Sequence, residues 1–254
     1  MQIGAQFYTL REQCKTLEDF AESLKRVADI GYRLVQISGV CAYEPEWLRE
    51  QLRANGLRCV LTHIPPERLE KEPETVAAEH TVFGCDYIGL GCGSKEAGTK
   101  GMDQAIRLAQ TSGRYFASVG KHLSYHNHGF EFTRDAESGK TRLAYLAEHT
   151  TPEELVFTLD TYWTHWGGAD VVEWIERLSG RIPCVHLKDM VANGAEEQRM
   201  APVGSGNLPW QRILPALEQA GVRYALVEQD DCYGEDPFAC LEKSYRFLRT
   251  QGLE

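Results

Sequence analysis

No stretch of this 254-residue chain approaches the roughly 18 consecutive apolar residues of a membrane-spanning helix. No run of basic residues marks a nucleic-acid-binding face. The balance is the reverse, with 27 Lys and Arg against 37 Asp and Glu and a formal charge of −10. An acidic surface repels phosphate backbones and anionic membranes, so neither nucleic acid nor a membrane is expected as a partner. The opening residues MQIGAQFYTLREQ lack the basic and apolar regions of a secretory signal, and a cytoplasmic protein is expected. The cysteines Cys14, Cys41, Cys59, Cys85, Cys92, Cys184, Cys232 and Cys240 include no CxxC pair. Several lie in apolar runs, and without a secretory signal they are expected to be reduced, buried thiols. Linkers and low-complexity segments are also missing, so one domain over residues 1–254 is expected.

What is present is an alternation. Short apolar, β-branched runs bounded by turn residues fall at 3–8, 34–38, 58–63, 87–90, 122–126, 155–159, 182–187 and 224–228, the pattern of buried parallel strands. Between them, Leu17, Phe20, Ala21, Leu24, Val27 and Ala28 form one helical stripe that Gly31 closes. The runs 171–178, 213–220 and 238–248 repeat the pattern, and Asn207 before Pro209 predicts a helix start. Eight βα units of about 32 residues each match a (β/α)8 TIM barrel in length. An open doubly wound sheet that binds a dinucleotide would need glycines in its first turn, and TLREQCKTLED has none.

In such a barrel the reactive groups project from the C-terminal strand ends. Those ends carry Gln6 and Tyr8, Gln36, His63, the run Tyr125-His126-Asn127-His128 with Glu131, Asp160, His186 with Lys188 and Asp189, and Glu228 with Asp230. Any one of these is more often a helix cap or a satisfied core residue than a functional one. Four consecutive strands that end in imidazoles and carboxylates are different, because such groups are costly to bury unless paired or metal-bound. Carboxylates with imidazoles and no thiolate suit Mn²⁺, Mg²⁺, Co²⁺ or Zn²⁺ with coordination sites left for substrate oxygens.

The segments GAQFYTLR, YHNHGFEF, LDTYWTHWGGAD, RIPCVHLKDM, PVGSGN and LVEQD resemble the xylose isomerase-like TIM-barrel superfamily, in particular its sugar phosphate isomerase/epimerase branch. The resemblance implies a divalent metal, often manganese, and a small carbohydrate substrate. It implies Asp160, His186 and Glu228 as ligands from strands six, seven and eight. Many relatives have glutamate where this chain has His126. The fourth ligand is therefore expected at Glu131, with His126 as the competitor. Ser205 stands where relatives often have Glu, and is expected to be part of a flexible connection rather than a phosphate contact. A homo-oligomer is a further implication.

The chemistry implied is proton removal next to a sugar carbonyl, giving an enediolate that is reprotonated or that expels a β-oxygen. The first outcome is isomerisation or epimerisation, and the second is a dehydratase or lyase reaction. Glu131 and Glu228 are the candidate bases. His128 and Lys188 are candidate acid and oxyanion-stabilising groups. Tyr8, His63, His126 and Trp163 are candidate substrate contacts, and Trp166 could extend an apolar wall. If Glu131 does not reach the site, a two-glutamate epimerisation loses one of its carboxylates. An endonuclease of the same superfamily would need a larger zinc-binding cluster, and His80, His122 and His149 are expected on helices or at strand starts.

Overall fold

A computed structural model describes residues 1–91, 99–136, 138–195 and 197–254. Its strands are β1 (Gln2–Gln6), β2 (Leu34–Ile37), β3 (Arg58–His63), β4 (Tyr87–Leu90), β5 (His122–His126), β6 (Val156–Asp160), β7 (Cys184–Leu187), β8 (Asp189–Asn193), β9 (Glu197–Ala201) and β10 (Tyr224–Val227). Eight of them close into a parallel barrel in the order β1-β10-β7-β6-β5-β4-β3-β2. The eight expected strands and the (β/α)8 class are both found. Each strand is buried on both faces, by the barrel interior and by the helical ring, so it reads as a near-continuous apolar run.

The helix Leu17–Ile30 shows how local sequence sets an element. Thr16 accepts from the Asp19 N–H at its start, and Phe20, Leu24 and Val27 are fully buried against the barrel. Gly31 ends it at φ 125°, where a Cβ would lie 2.6 Å from the Tyr245 hydroxyl.

Two local expectations are corrected, and one element adds to those expected. The first strand stops at Gln6, because its side chain accepts from the Tyr8 N–H at 2.6 Å and turns the chain into a 3-10 segment, Phe7–Gln13. Asn207 does not cap a helix. Its Oδ1 accepts from Ala192 N at 2.9 Å, and the helix Trp210–Gln219 starts after Pro209 without a side-chain cap. The chain after β7 also forms an antiparallel hairpin, β8–β9, in register from Asp189↔Ala201 to Asn193↔Glu197. Its outer half is polar and exposed, so it carries no apolar signal.

Inside the barrel, Leu34, Val60, Leu61, Tyr87, Val156, Cys184, Tyr224 and Leu226 form a separate buried cluster. The polar layer lies beyond it at the C-terminal ends of the strands. No described cysteine is in a disulfide, and Cys14, Cys59, Cys85, Cys184 and Cys240 are buried. Cys92 lies outside the described residues. Among the described residues no helix is long and apolar enough to cross a membrane.

Candidate metal and active site

Side chains alternate along a strand, so Ser124 and His126, Thr158 and Asp160, Cys184 and His186, and Leu226 and Glu228 share the inward face of their strands. The parallel register sets Asp160 opposite His186 and brings Leu226 opposite His186 on the next strand. The last inward positions of β5, β6 and β7 and the residue after β10 thereby meet. His126, Asp160, His186 and Glu228 each offer one ligand atom, and these atoms all lie within 4.8 Å of one another. All four residues are at most 3% exposed.

Each member has its other polar atom held from behind. His126 Nδ1 faces the Gly91 carbonyl at 3.1 Å, which leaves Nε2 3.1 Å from Asp160 Oδ2. His186 Nε2 lies 2.6 Å from Gln36 Oε1, which leaves Nδ1 2.8 Å from Glu228 Oε2. Asp160 Oδ1 accepts from Trp163 N at 2.9 Å, and Glu228 Oε1 accepts from Gln6 Nε2 at 2.8 Å. An oxygen acceptor behind an imidazole fixes the proton on the far nitrogen and turns the near lone pair inward. Two imidazole lone pairs and two carboxylate oxygens thus converge on one point. That is a donor set a divalent ion fits.

Charge leads to the same fit. Lys188 Nζ, 1% exposed, lies 2.9 Å from Glu228 Oε2, 3.2 Å from Asp160 Oδ2 and 2.9 Å from Asp230 Oδ1. Three carboxylates around one ammonium leave a surplus of negative charge at this end of the barrel, which a divalent cation would offset. Burial disfavours every charge here, but the carboxylates outweigh it and hold Lys188 well above the usual lysine range. Burial likewise opposes ionisation of Asp160 and Glu228, and Lys188 with the imidazoles holds both below the usual carboxylate range. Asp230 is raised to about 6 by burial and by Glu228. His186 is held up by Glu228 and Asp160 against its own burial. Burial lowers His126, and His186 adds to the effect.

Glu131 is not in the cluster. It is fully buried in the turn after β5, where Oε1 accepts from the Tyr125 hydroxyl at 2.7 Å and Oε2 from His128 N at 2.8 Å. Burial raises it to about 7. The expected placement of Glu131 among the ligand atoms is therefore corrected. The β5 position of the group belongs to His126, because strand alternation points 126 inward while the 3-10 turn Gly129–Phe132 folds 131 back against Tyr125.

The other expected residues divide. His63 stacks on His126 at 5.3 Å between ring centroids, lies 5.8 Å from His186, and has Ser38 Oγ 3.1 Å from its Nδ1. Burial and the neighbouring imidazoles push it well below the usual histidine range. His128 lies edge-on to His126 at 4.7 Å and is lowered to about 3 by burial and by His126. Trp163 carries the Lys188 ammonium 5.6 Å from its ring centroid. Among the described residues, His63 Nε2, Trp163 Nε1 and Gln36 Nε2 are buried without a hydrogen-bond partner, whereas the His128 side chain accepts from the Glu131 backbone N–H at the start of the 3-10 turn. Trp166 lies 5.8 Å from Trp163 at 54% exposure. Tyr8 is turned outward under the Arg11 guanidinium. Ser205 is exposed and hydrogen-bonds through its backbone to Pro202. His80, His122 and His149 fall on or just after helices or at a strand start, as expected.

Sequence reasoning missed the supporting roles of Gln6, Gln36 and Asp230. A glutamine at the inner end of a buried strand was the available signal, since a buried amide must have a partner.

Fold and site together define a parallel (β/α)8 barrel with a buried two-imidazole, two-carboxylate group at the C-terminal ends of its strands. Residues 24–251 match the xylose isomerase-like TIM barrel family, and the chain belongs to it. A sugar phosphate isomerase/epimerase from Parabacteroides distasonis ATCC 8503 has the same fold, with a TM-score of 0.83, 23% identity, and coverage of 98% of this chain and 93% of that one. The probable 3-DHS dehydratase AsbF from Bacillus anthracis superposes with a TM-score of 0.73 at 16% identity, over 98% of this chain and 99% of its own. An inosose dehydratase from Geobacillus thermodenitrificans (strain NG80-2) is 28% identical over 158 residues, 54% of this chain and 50% of that protein. The match thus spans half the length of that relative.

Proposed function

We propose that this chain is a divalent-metal-dependent sugar isomerase or epimerase that removes a proton next to a carbonyl. The observation that carries the reading is the convergence of His126 Nε2, Asp160 Oδ2, His186 Nδ1 and Glu228 Oε2, each with its remaining polar atom held from behind. Mn²⁺ is the first choice of ion, with Mg²⁺, Co²⁺ and Zn²⁺ compatible with the same ligands. A bound divalent ion would supply Lewis-acid polarisation of adjacent substrate oxygens. Glu228 takes the proton. Lys188, within 3 Å of Glu228 and Asp230, donates to the oxygen on which charge develops. His63, Trp163 and Gln36 offer their unpartnered atoms to substrate hydroxyls, His128 lies beside His126 and Trp163 on the same side, and Trp163 packs against the sugar face.

A second reading is favoured by one observation. Glu131 is tied to Tyr125 and His128 N, so a second carboxylate does not face the cluster from that side. With one carboxylate base, expulsion of a β-oxygen becomes the simpler outcome. The similarity to an inosose dehydratase points the same way, to a dehydratase or lyase acting on a keto-sugar or keto-cyclitol.

Incubating the Mn²⁺-loaded protein with ketoses and keto-cyclitols in D₂O, followed by mass spectrometry, tests both. Deuterium gain without loss of water marks the isomerase or epimerase, and loss of water marks the dehydratase. Wild-type protein without near-stoichiometric bound metal, or Glu228→Ala protein that keeps it, would refute the site itself.

A further inference from the structure

The opposite end of the barrel carries a second polar constellation. Arg58 opens β3, Tyr87 opens β4, Tyr224 opens β10 and Arg223 directly precedes it. The two tyrosines close the floor of the barrel beside Val156 and Cys184, at 6% and 5% exposure, with ring centroids 6.2 Å apart. Arg58 Nη1 donates to Tyr224 Oη at 3.2 Å, and Arg223 Nη2 donates to the same oxygen at 3.0 Å. Arg223 Nη1 reaches Tyr87 Oη at 3.4 Å, and Arg58 Nη2 reaches Gln2 Oε1 at 3.2 Å. Their guanidinium carbons lie 5.3 and 5.1 Å from the centroid of the Tyr224 ring.

Two like charges therefore share one hydroxyl. Among the described residues neither has a carboxylate partner, although the chain carries ten surplus negative charges. Asp86, next to Tyr87 in sequence, is taken by Lys121 at 3.1 Å. Donor accounting sharpens the point. A phenol has one proton to give. Tyr224 Oη accepts twice and Tyr87 Oη once, yet neither proton has an acceptor among the described residues. Two exposed forked guanidiniums over two buried phenols, with no acceptor among the described residues, make a donor-rich, solvent-facing surface suited to a negatively charged oxygen ligand.

We infer that this floor binds a small tetrahedral oxyanion, either free phosphate or the head of a phosphomonoester. Arginine forks match phosphate geometry with paired N–H bonds, and the two phenols add a donor each from the barrel side. The site is independent of the metal cluster at the other end of the strands.

Calorimetric titration of the full chain with inorganic phosphate, at fixed ionic strength set by chloride, tests the assignment. One saturable site is expected. Arg223→Gln and Arg58→Gln should each weaken it at least tenfold, and Tyr224→Phe severalfold, with bound metal at the opposite end unchanged. A parallel titration with glycerol phosphate distinguishes the sources: binding of both ligands assigns a phosphomonoester head, and binding of phosphate alone assigns the free ion. Absence of saturable binding in the wild type, or equal binding by folded Arg58→Gln protein, would overturn the inference.

Discussion

Replacing Gln36 by Leu probes the site without touching a ligand atom. Gln36 Oε1 holds His186 Nε2 at 2.6 Å, and both side chains are fully buried. Leucine keeps the approximate bulk and removes the acceptor. The stranded imidazole N–H then costs about 1–3 kcal/mol in the folded chain. His186 also loses what fixes its tautomer. The proton can move to Nδ1, where it points at Glu228 Oε2 and blocks the lone pair a metal would use. Loss of such a supporting partner weakens metal binding by roughly 10–100-fold, or about 1.4–2.7 kcal/mol. Equilibrium dialysis against Mn²⁺, paired with thermal unfolding, reads both effects. Gln36→Glu is the companion variant, since it restores an oxygen acceptor and should bind metal at least about tenfold more tightly than the leucine variant. Metal affinity in Gln36→Leu equal to the wild type would refute the reasoning, because Nδ1 would then not be the inward-facing lone pair.

Glu131 makes stability depend on pH. Its folded value of about 7 lies above the ordinary 4.5, so the folded chain favours the protonated form. The associated stability is complete below about pH 4.5 and is lost as pH rises through 7. The shift corresponds to something on the order of 3 kcal/mol. Denaturant melts of wild type and Glu131→Gln should therefore diverge between pH 4.5 and 8, with the variant flatter, and parallel curves would contradict this. At Gly89 a Cβ would sit 2.2 Å from the Thr62 carbonyl and 2.8 Å from His63. Gly89→Ala should lower stability by roughly 1–3 kcal/mol and the midpoint by several degrees, and an unchanged calorimetric midpoint would show that β3 and β4 separate freely.

Much of the fold was legible in the chain itself. The eight buried strands repeat at a nearly even spacing, and each is a continuous apolar run because both of its faces are covered. The expected range at 58–63 is β3 and the range at 122–126 is β5, residue for residue. Asp160, His186 and Glu228 were legible for a related reason. A charged or imidazole group at the inner end of a buried strand is costly unless it has a purpose, and a closed barrel brings consecutive strand ends together. The hairpin β8–β9 was not legible, since its residues from Val191 to Arg199 are half-buried or exposed where described and show no apolar alternation.

Tertiary structure decided the rest. The sequence placed His126 and Glu131 five residues apart, with no local signal for which one turns inward. Strand alternation carried through the closed barrel points His126 at Asp160. The turn after β5 leaves Glu131 between Tyr125 and His128. Gln36 and His186 are 150 residues apart and Gln6 and Glu228 are 222 apart, so no local pattern could pair them. Local sequence determines strand, helix and burial because those follow from the chain's own periodicity. Which atoms of which side chains meet depends on closure of the barrel and on the register between its strands, and that is a property of the whole chain.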